Sequence, residues 1–285
     1  MEIQRNHVTG GPEELSYVQA GAGPPLILLH GLLGGSFCWR LNLPAFSKSY
    51  TTFSVDLPGF GETEVPRDLD CSMQAQATRL LSWLEQLGLN SVDVVASSWG
   101  GGVALFLAAL SPKVRSLVLA APVNPWSDFG RERVRFFSGR VGGTLLRLGM
   151  PFSRPLHLTA LQRMYGDPAR IPPGSLEGYS RIMLRKGRAN NILNTLRCWE
   201  NDVNALGAAI ERVRAPSLLV WGTRDGAVDM RSSDILMQKL PRCERAVVPG
   251  VGHLPFEEAP EEFTRLVLEF LDRIRSSGKR GIGTS

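Results

Sequence analysis

The feature that most constrains the fold of this chain is the alternation of short apolar runs with segments of helical apolar spacing. The apolar runs lie at 26–30, 51–56, 92–97, 114–122, 217–222 and 244–250. Helical spacing occupies the segments 72–88, 101–112, 230–241 and 260–275. This alternation is typical of βαβ units, in which helices cover a mostly parallel sheet. The sequence therefore predicts an α/β fold, with an edge strand that runs into a Gly/Pro turn over 15–25, ahead of the first run.

The alternation is interrupted between residues 123 and 205 by an Arg-rich helical stretch with Pro and Gly breaks. Residues 123–215 contain 14 Arg and 1 Lys against 7 acidic residues, a net charge of +8 in a chain whose total is +5. Strand patterns resume directly afterwards, which favours an insertion within one domain. We predict a core of residues 1–122 and 206–275, a helical insertion over 123–205 and a disordered tail over 276–285.

Composition excludes several classes of protein. The basic residues form no dense run beyond "RKGR", so nucleic-acid binding is not expected. The polar N-terminus and the lack of an apolar run of about 18 residues predict no signal peptide and no membrane span, and therefore a cytoplasmic protein. The four cysteines are far apart and form no CxxC pair, which predicts free thiols and no metal site.

Two adjacent serines lie between the run at 92–97 and the helix that follows it. A serine nucleophile on a parallel sheet occupies a sharp strand-to-helix turn, which needs small residues two positions before and after it. Ser98 meets this condition with Ala96 and Gly100, whereas Ser97 does not. We predict Ser98 as the nucleophile and Ser97 as a helper or packing residue. The alternative is that Ser98 only caps the helix.

A serine nucleophile needs a base, and the base needs an acid that orients it. His253 follows the last strand and a Gly-rich turn, and Asp225 lies just past the run at 217–222. Both are therefore expected at the carboxyl edge of the sheet, and the order serine, acid, histidine is the one used on this type of sheet. We predict a Ser98–His253–Asp225 triad, with Asp229 as the reserve acid.

Acyl transfer also requires donors for the oxyanion, usually two backbone amides. The residue after the nucleophile, Trp99, supplies one candidate. The second is Leu32, in the segment "HGLLGGSFCW" that follows the first apolar run. His30 begins this segment, and we expect it to hold the loop in shape by hydrogen bonds; a second base is the alternative. His7 and His157 have no supporting context.

With these motifs the chain resembles the α/β-hydrolase superfamily, and within it the small bacterial esterase, haloperoxidase and C–C hydrolase-like enzymes. The resemblance covers about residues 14–122 and 214–275 and rests on "HGLLGGSFCW", "DLPGFGET", "ASSWGG", "WGTRD" and "GVGHLPFEEAP". It implies a mostly parallel eight-stranded sheet flanked by helices, with a helical cap inserted after the sixth strand and the triad beneath it. Epoxide hydrolases and haloalkane dehalogenases of this fold use aspartate where this chain has Ser98, so neither activity is expected.

The expected function is that of a serine hydrolase that cleaves a carboxylic ester of a small or medium-sized substrate through an acyl-enzyme on Ser98, without metal or cofactor. One alternative is a C–C bond hydrolase of vinylogous diketones, although that group usually has Asn before the serine and an aromatic residue after the histidine, where this chain has Ser97 and Leu254. Another is a non-catalytic ligand-binding protein on the same fold, although such proteins tend to lose a triad residue.

The insertion should determine specificity. Its arginines either form an electropositive mouth that attracts carboxylate or phosphate groups, or occupy solvated helix faces. The candidates on helical patterns are Arg181, Arg185, Arg188 and Arg197.

Overall fold

A single sheet of eight strands forms the centre of the molecule, in a computed structural model that describes residues 3–8, 15–63, 69–128, 130–150 and 154–280. The strands are β1 (Ile3–Val8), β2 (Leu15–Ala20), β3 (Pro25–Leu29), β4 (Thr51–Asp56), β5 (Val92–Ser97), β6 (Val114–Ala120), β7 (Ser217–Gly222) and β8 (Cys243–Val248). Their order across the sheet is β1-β2-β4-β3-β5-β6-β7-β8. The pairs β1–β2 and β2–β4 are antiparallel and all later neighbours are parallel. The carboxyl ends of the parallel strands therefore share one edge of the sheet.

Helices cover both faces of the sheet. They are α1 (Leu43–Phe46), α2 (Met73–Gln86), α3 (Ser98–Leu110), α4 (Arg131–Ser138), α5 (Arg140–Gly149), α6 (Arg154–Met164), α7 (Ser175–Met183), α8 (Arg188–Ile210), α9 (Ser232–Lys239), α10 (Pro255–Glu258) and α11 (Pro260–Arg280). Alternate strand residues belong to two apolar clusters, as Val94 and Val95 of β5 illustrate. Helices α2, α3 and α8 pack on one face, and α1 and α11 on the other. Burial on both faces explains why the central strands are continuously apolar.

The strand predicted at the start of 15–25 is present as β2, but its predicted position at the edge of the sheet is wrong, because β1 covers the outer side of β2. The six residues of β1 pair with β2 from Ile3 opposite Ala20 to Val8 opposite Leu15. Between its two apolar ends the strand has the polar sequence "QRNH". A strand at the edge of a sheet needs no apolar alternation, so no hydrophobic pattern in this segment could predict it.

Between β6 and β7, the described residues contain five α-helices, α4 to α8. Helix α8 has 23 residues and runs without a break through residue 205, where the sequence suggests a boundary. Its last turns bring Leu206 and Ile210 into the cluster that contains α3. At the other end of the chain, α11 continues to Arg280, into the segment for which a tail is predicted. Residues 281–285 lie outside the described residues.

Candidate active site

The turn between β5 and α3 is sharp and strained at Ser98. Ser98 is the first residue of α3 and has a φ of 52°. This left-handed backbone conformation is energetically unfavourable for any residue other than glycine. A Cβ atom at Gly100 would lie 2.2 Å from the carbonyl oxygen of His30, so only glycine permits this approach of α3 to the end of β3. Ala96 is completely buried. The small residues that flank Ser98 thus allow the turn that the sequence predicted.

Asp225 and His253 form a hydrogen-bonded pair beyond the ends of β7 and β8. The Oδ2 atom of Asp225 lies 2.9 Å from Nδ1 of His253, and both side chains are nearly inaccessible to solvent. The other carboxylate oxygen accepts hydrogen bonds from the amides of Ala227 and Val228, at 2.8 and 3.0 Å. Three contacts therefore hold the carboxylate, and a proton on Nδ1 leaves Nε2 of His253 as the acceptor nitrogen.

The reserve acid, Asp229, has a different partner. Its carboxylate pairs with Arg231 at 2.8 Å, and this guanidinium lowers the pKa of Asp229. The geometry therefore favours Asp225 as the partner of His253.

Ser98 and His253 line the same cavity, of about 290 Å³, at the carboxyl edge of the sheet. The loops after β3, β5, β6, β7 and β8 form its floor, and residues of α4, α6, α7 and α8 close it from the other side. Most of its lining side chains are apolar, among them Leu32, Leu33, Val123, Val134, Leu161, Met164, Leu176, Met183, Trp199, Val203, Val228, Leu254 and Phe256. The polar groups at Ser98 and His253 thus face a mainly hydrophobic space.

The loop after β3 passes close to Ser98. A Cβ atom at Gly31 would lie 3.1 Å from the Cβ atom of Ser98, and the next residue, Leu32, lines the cavity. Trp99 is the second residue of α3, where backbone amides have no carbonyl partner within the helix. The two amides predicted to bind an oxyanion therefore belong to segments that meet at Ser98.

His30 holds this loop in shape, as the sequence predicted. It is completely buried, its Nδ1 atom lies 2.8 Å from the carbonyl oxygen of Gly31, and its Nε2 atom accepts a hydrogen bond from the amide of Leu57. Burial lowers the pKa of His30, so the ring is neutral with the proton on Nδ1. Both ring nitrogens are used in structural hydrogen bonds.

The sequence patterns did not identify His157 as a cavity residue, and they assign Ser97 only a helper or packing role. His157 lines the cavity and its Nδ1 atom lies 3.0 Å from Oγ of Ser180. The hydroxyl of Ser97, which is buried and also lines the cavity, has no hydrogen-bond partner among the described residues. His157 and Leu161 are the buried residues of an otherwise exposed stretch of α6, and their i, i+4 spacing is the signal that could have identified His157.

The arginines selected from the sequence do not line the cavity, whereas Arg131 does. Arg185 pairs with Glu62, and Arg188 donates a hydrogen bond to the carbonyl oxygen of Gly61. The guanidinium of Arg131 donates to the carbonyl oxygens of Ser127 and Pro125 at the start of α4. Helical periodicity alone could not distinguish these positions.

Glu257, in α10 just after His253, joins this loop to α6 and α7. Its buried carboxylate accepts hydrogen bonds from the hydroxyls of Tyr165 and Tyr179, both at 2.6 Å, and pairs with Arg40 at 2.6 Å. Burial, and then the nearby carboxylate, raise the pKa of both phenols, so they remain donors.

Glu258 makes a second connection between the same segments. One carboxylate oxygen accepts hydrogen bonds from the amides of Gly166 and Gly252, and the other from the amide of Asp167. A Cβ atom at Gly252 would lie 2.4 Å from the backbone nitrogen of Gly166. The segment after α6 thus packs directly against the backbone that precedes His253.

Among the described residues, no group of three or more His, Cys, Asp or Glu side chains could hold a metal ion. No helix in the described ranges combines the length and the apolar character needed to cross a bilayer.

Comparison with known proteins agrees with this architecture. A sequence model of the alpha/beta hydrolase fold family matches residues 24–260, so the chain belongs to that family. The chain is 27% identical to Lipase 1 of Psychrobacter immobilis over 272 residues, which cover 92% of this chain and 81% of the lipase. It is 28% identical to 2-hydroxymuconate semialdehyde hydrolase of Pseudomonas sp. strain CF600 over 259 residues, 88% of each chain.

Among solved structures, a thermophilic esterase from Thermogutta terrifontis is similar, with a TM-score of 0.79 and 23% identity over 95% of this chain and 99% of the esterase. At this identity the likeness shows the fold alone, which is the mostly parallel α/β hydrolase sheet that the sequence predicted.

Proposed function

We propose that this protein is a serine hydrolase that cleaves carboxylic esters with small or medium-sized, mainly apolar acyl groups. The main support is the hydrogen bond between Asp225 and Nδ1 of His253, which directs the basic nitrogen of the ring away from the carboxylate while His253 and Ser98 line one cavity. Two lipases among the similar proteins support the same class of reaction.

In the proposed mechanism, Nε2 of His253 takes the proton of the Ser98 hydroxyl as Oγ attacks the ester carbonyl. The buried carboxylate of Asp225 stabilises the imidazolium that forms. The amides of Leu32 and Trp99 donate hydrogen bonds to the oxyanion of the tetrahedral intermediate. His253 then protonates the leaving alcohol, and an acyl-enzyme on Ser98 remains.

Water completes the cycle. His253 removes a proton from a water molecule, which attacks the acyl carbonyl. The second tetrahedral intermediate then collapses: the bond between the acyl carbon and Oγ of Ser98 breaks, His253 returns the proton to Oγ, and the carboxylic acid is released. Each step uses side chains and amides of this chain.

The lining of the cavity defines the substrate class that we propose. Its volume of about 290 Å³ is near the lower limit of pockets for drug-sized ligands, roughly 300–1,000 Å³. Leu161, Met164 and Met183 provide apolar contacts for an acyl chain. We further propose that helices α4 to α8 act as a cap over the site, corresponding to the insertion predicted over 123–205.

A C–C bond hydrolase is the second candidate, because the relative from Pseudomonas is a semialdehyde hydrolase at 28% identity. The two are separated by assaying the purified protein with p-nitrophenyl esters of increasing acyl length and with a dienone acid. We expect turnover of the esters. A strong preference for the dienone acid would instead assign the protein to C–C bond cleavage.

A fluorophosphonate probe tests the nucleophile directly. We expect it to label the wild type and the Ser97→Ala variant, and to leave Ser98→Ala unlabelled although that variant is folded by circular dichroism. Absence of labelling of the intact protein, or labelling that Ser98→Ala does not change, would favour a non-catalytic binding protein.

A further inference from the structure

Helix α5 presents an apolar face to solvent. Val141, Leu145 and Leu148 are spaced i, i+4, i+7, and each is more than half exposed. A surface helix normally directs its polar residues to solvent and its apolar residues to the core. In α5 these three apolar residues face solvent instead.

The inner side of α5 is already occupied by other parts of the protein. A Cβ atom at Gly142 would lie 2.2 Å from the carbonyl oxygen of Phe136, and one at Gly143 would lie 3.3 Å from the side chain of Leu193 in α8. Leu146 packs against the apolar cluster that contains α2, α3 and α8. Because the inner side of α5 is packed, the outward stripe has no cover within the described residues.

The most exposed apolar residues concentrate in this stretch of the sequence. The five most exposed large hydrophobic side chains of the described residues all lie between residues 136 and 156, at 52–70% exposure, whereas the others are at 37–48%. We call these five side chains the outer cap face: Phe136, Val141, Leu145, Leu148 and Leu156. Scattered exposed hydrophobic residues are normal. The stripe on α5 lies beside Phe136 of α4, whose carbonyl oxygen approaches Gly142, and such a group indicates an interaction surface.

The positive charge of helices α4 to α6 indicates what kind of partner the outer cap face binds. Residues 131–163 contain seven Arg, no Lys and a single acidic residue, Glu132, a net charge of +6. Arg133, Arg140 and Arg147 are exposed. A second copy of this chain docked through the same face would bring two such positive surfaces together. Apolar side chains among arginines instead fit a surface that has both an apolar interior and negative headgroups.

The cavity opens beside this face. Ala160 of α6 and Gly130, just before α4, are exposed and also line the cavity. Leu156 lies one helical turn before Ala160. A surface in contact with the outer cap face is therefore close to the entrance of the candidate active site.

We propose that the outer cap face docks on anionic lipid surfaces, with its apolar side chains in the interface and the arginines on the headgroups. This interaction is separate from the hydrolase reaction, and it directs the mouth of the cavity towards the lipid.

The test measures how much protein floats with vesicles of phosphatidylcholine, either alone or mixed with phosphatidylglycerol. The parent protein in this test is Ser98→Ala, so that no lipid is hydrolysed. We expect binding to the mixed vesicles that weakens as salt is added. Leu145→Gln/Leu148→Gln should weaken binding by about tenfold or more, and Arg140→Gln/Arg147→Gln should abolish the preference for phosphatidylglycerol. The control Leu110→Gln/Met237→Gln changes two exposed apolar residues outside the cap and should bind as the parent does.

Thermal melting checks that each variant is folded. Failure of the parent protein to bind mixed vesicles, or equal binding by the outer-face and control variants, would overturn the proposal. So would a dimer in light scattering that Leu145→Gln/Leu148→Gln dissociates, because the face would then belong to a second copy of the chain. Since these readouts do not use ester turnover, they stand apart from the success or failure of the proposed hydrolase activity.

Discussion

The backbone amide of His253 donates a hydrogen bond to the carbonyl oxygen of Met164 at 2.7 Å. Met164 is the last residue of α6, so a helix between β6 and β7 directly restrains the candidate catalytic histidine. The buried carboxylates of Glu257 and Glu258 reinforce the same junction. The end of α6, helix α7 and the histidine loop are thus parts of one hydrogen-bonded unit.

We expect Glu257→Gln to destabilise the protein by about 2–4 kcal/mol. The amide group cannot accept both tyrosine hydroxyls as the carboxylate does, and it leaves the Arg40 guanidinium without its counter-charge. The free energy of unfolding in urea measures the effect. Glu85→Gln, at an exposed position of α2, is the matched control and should change it little; an equal loss in the two variants would contradict the role of this junction.

The pair Asp225→Asn and Asp229→Asn tests which acid orients His253. An asparagine at 225 no longer holds the proton on Nδ1, so kcat for an ester should fall by roughly 10⁴-fold while folding is retained. Asp229 contacts Arg231 and not the histidine, so its variant should retain most of the activity. Steady-state kinetics on a p-nitrophenyl ester measures kcat of both variants. A large loss in Asp229→Asn with activity retained in Asp225→Asn would instead assign the acid role to Asp229.

Two Gly→Ala substitutions separate the effect of the close contact between α3 and the His30 carbonyl from the general effect of replacing glycine by alanine in a helix. Gly100→Ala places a Cβ atom against the His30 carbonyl and should destabilise the protein by about 1–3 kcal/mol or more, with loss of probe labelling at Ser98. Gly207→Ala, within α8, meets only a Pro125 atom at 3.8 Å and should stabilise by about 0.5–1 kcal/mol. Thermal unfolding of both variants checks the signs; a stable, labelled Gly100→Ala protein would show that the turn is not constrained as described.

Asp202 should make stability fall as pH rises. It is buried on α8, where Oδ2 accepts a hydrogen bond from the amide of Met73, and burial raises its pKa to about 7. The folded state therefore binds this proton more tightly than the unfolded state, whose pKa is about 3.9. The stabilisation is complete below about pH 4 and is lost as pH rises towards 7.

Asp202→Asn removes this titration and should stabilise the protein at pH 8 relative to the wild type, by about 1–3 kcal/mol. At pH 4.5 most of this gain should be absent, because the carboxyl group of the folded wild-type protein is still protonated. Urea unfolding at both pH values measures the difference, with the exposed Asp272→Asn as the control. A gain of the same size at both pH values would show that the proton on Asp202 is not responsible.

Much of the site could be predicted because its signals are local. The turn at Ser98 depends on the neighbours Ala96 and Gly100, and these are visible in the sequence. Asp225 follows an apolar run that ends in a recognisable turn. Helix α2, expected over 72–88, is Met73–Gln86 in the structure, with Ser72 as its N-cap.

Other features could not be predicted from local pattern. β1 has an almost wholly polar sequence, and only its pairing with β2 makes it a strand. Arg131 reaches the cavity because the carbonyl oxygens of Pro125 and Ser127 hold its guanidinium. Arg185, which has the same kind of helical spacing, pairs instead with Glu62.

The sequence by itself determined the class of fold, the strained turn at Ser98 and the order of the three candidate catalytic residues, since apolar period, small residues and chain order are properties of short segments. The tertiary structure decided what each helix contacts. It brought the carboxylate of Glu257 into hydrogen bonds with two tyrosines and the carbonyl oxygen of Met164 into a hydrogen bond with the amide of His253, and it left Leu145 exposed. Periodicity predicts that a helix has an apolar face, but contacts between distant segments determine whether that face is buried.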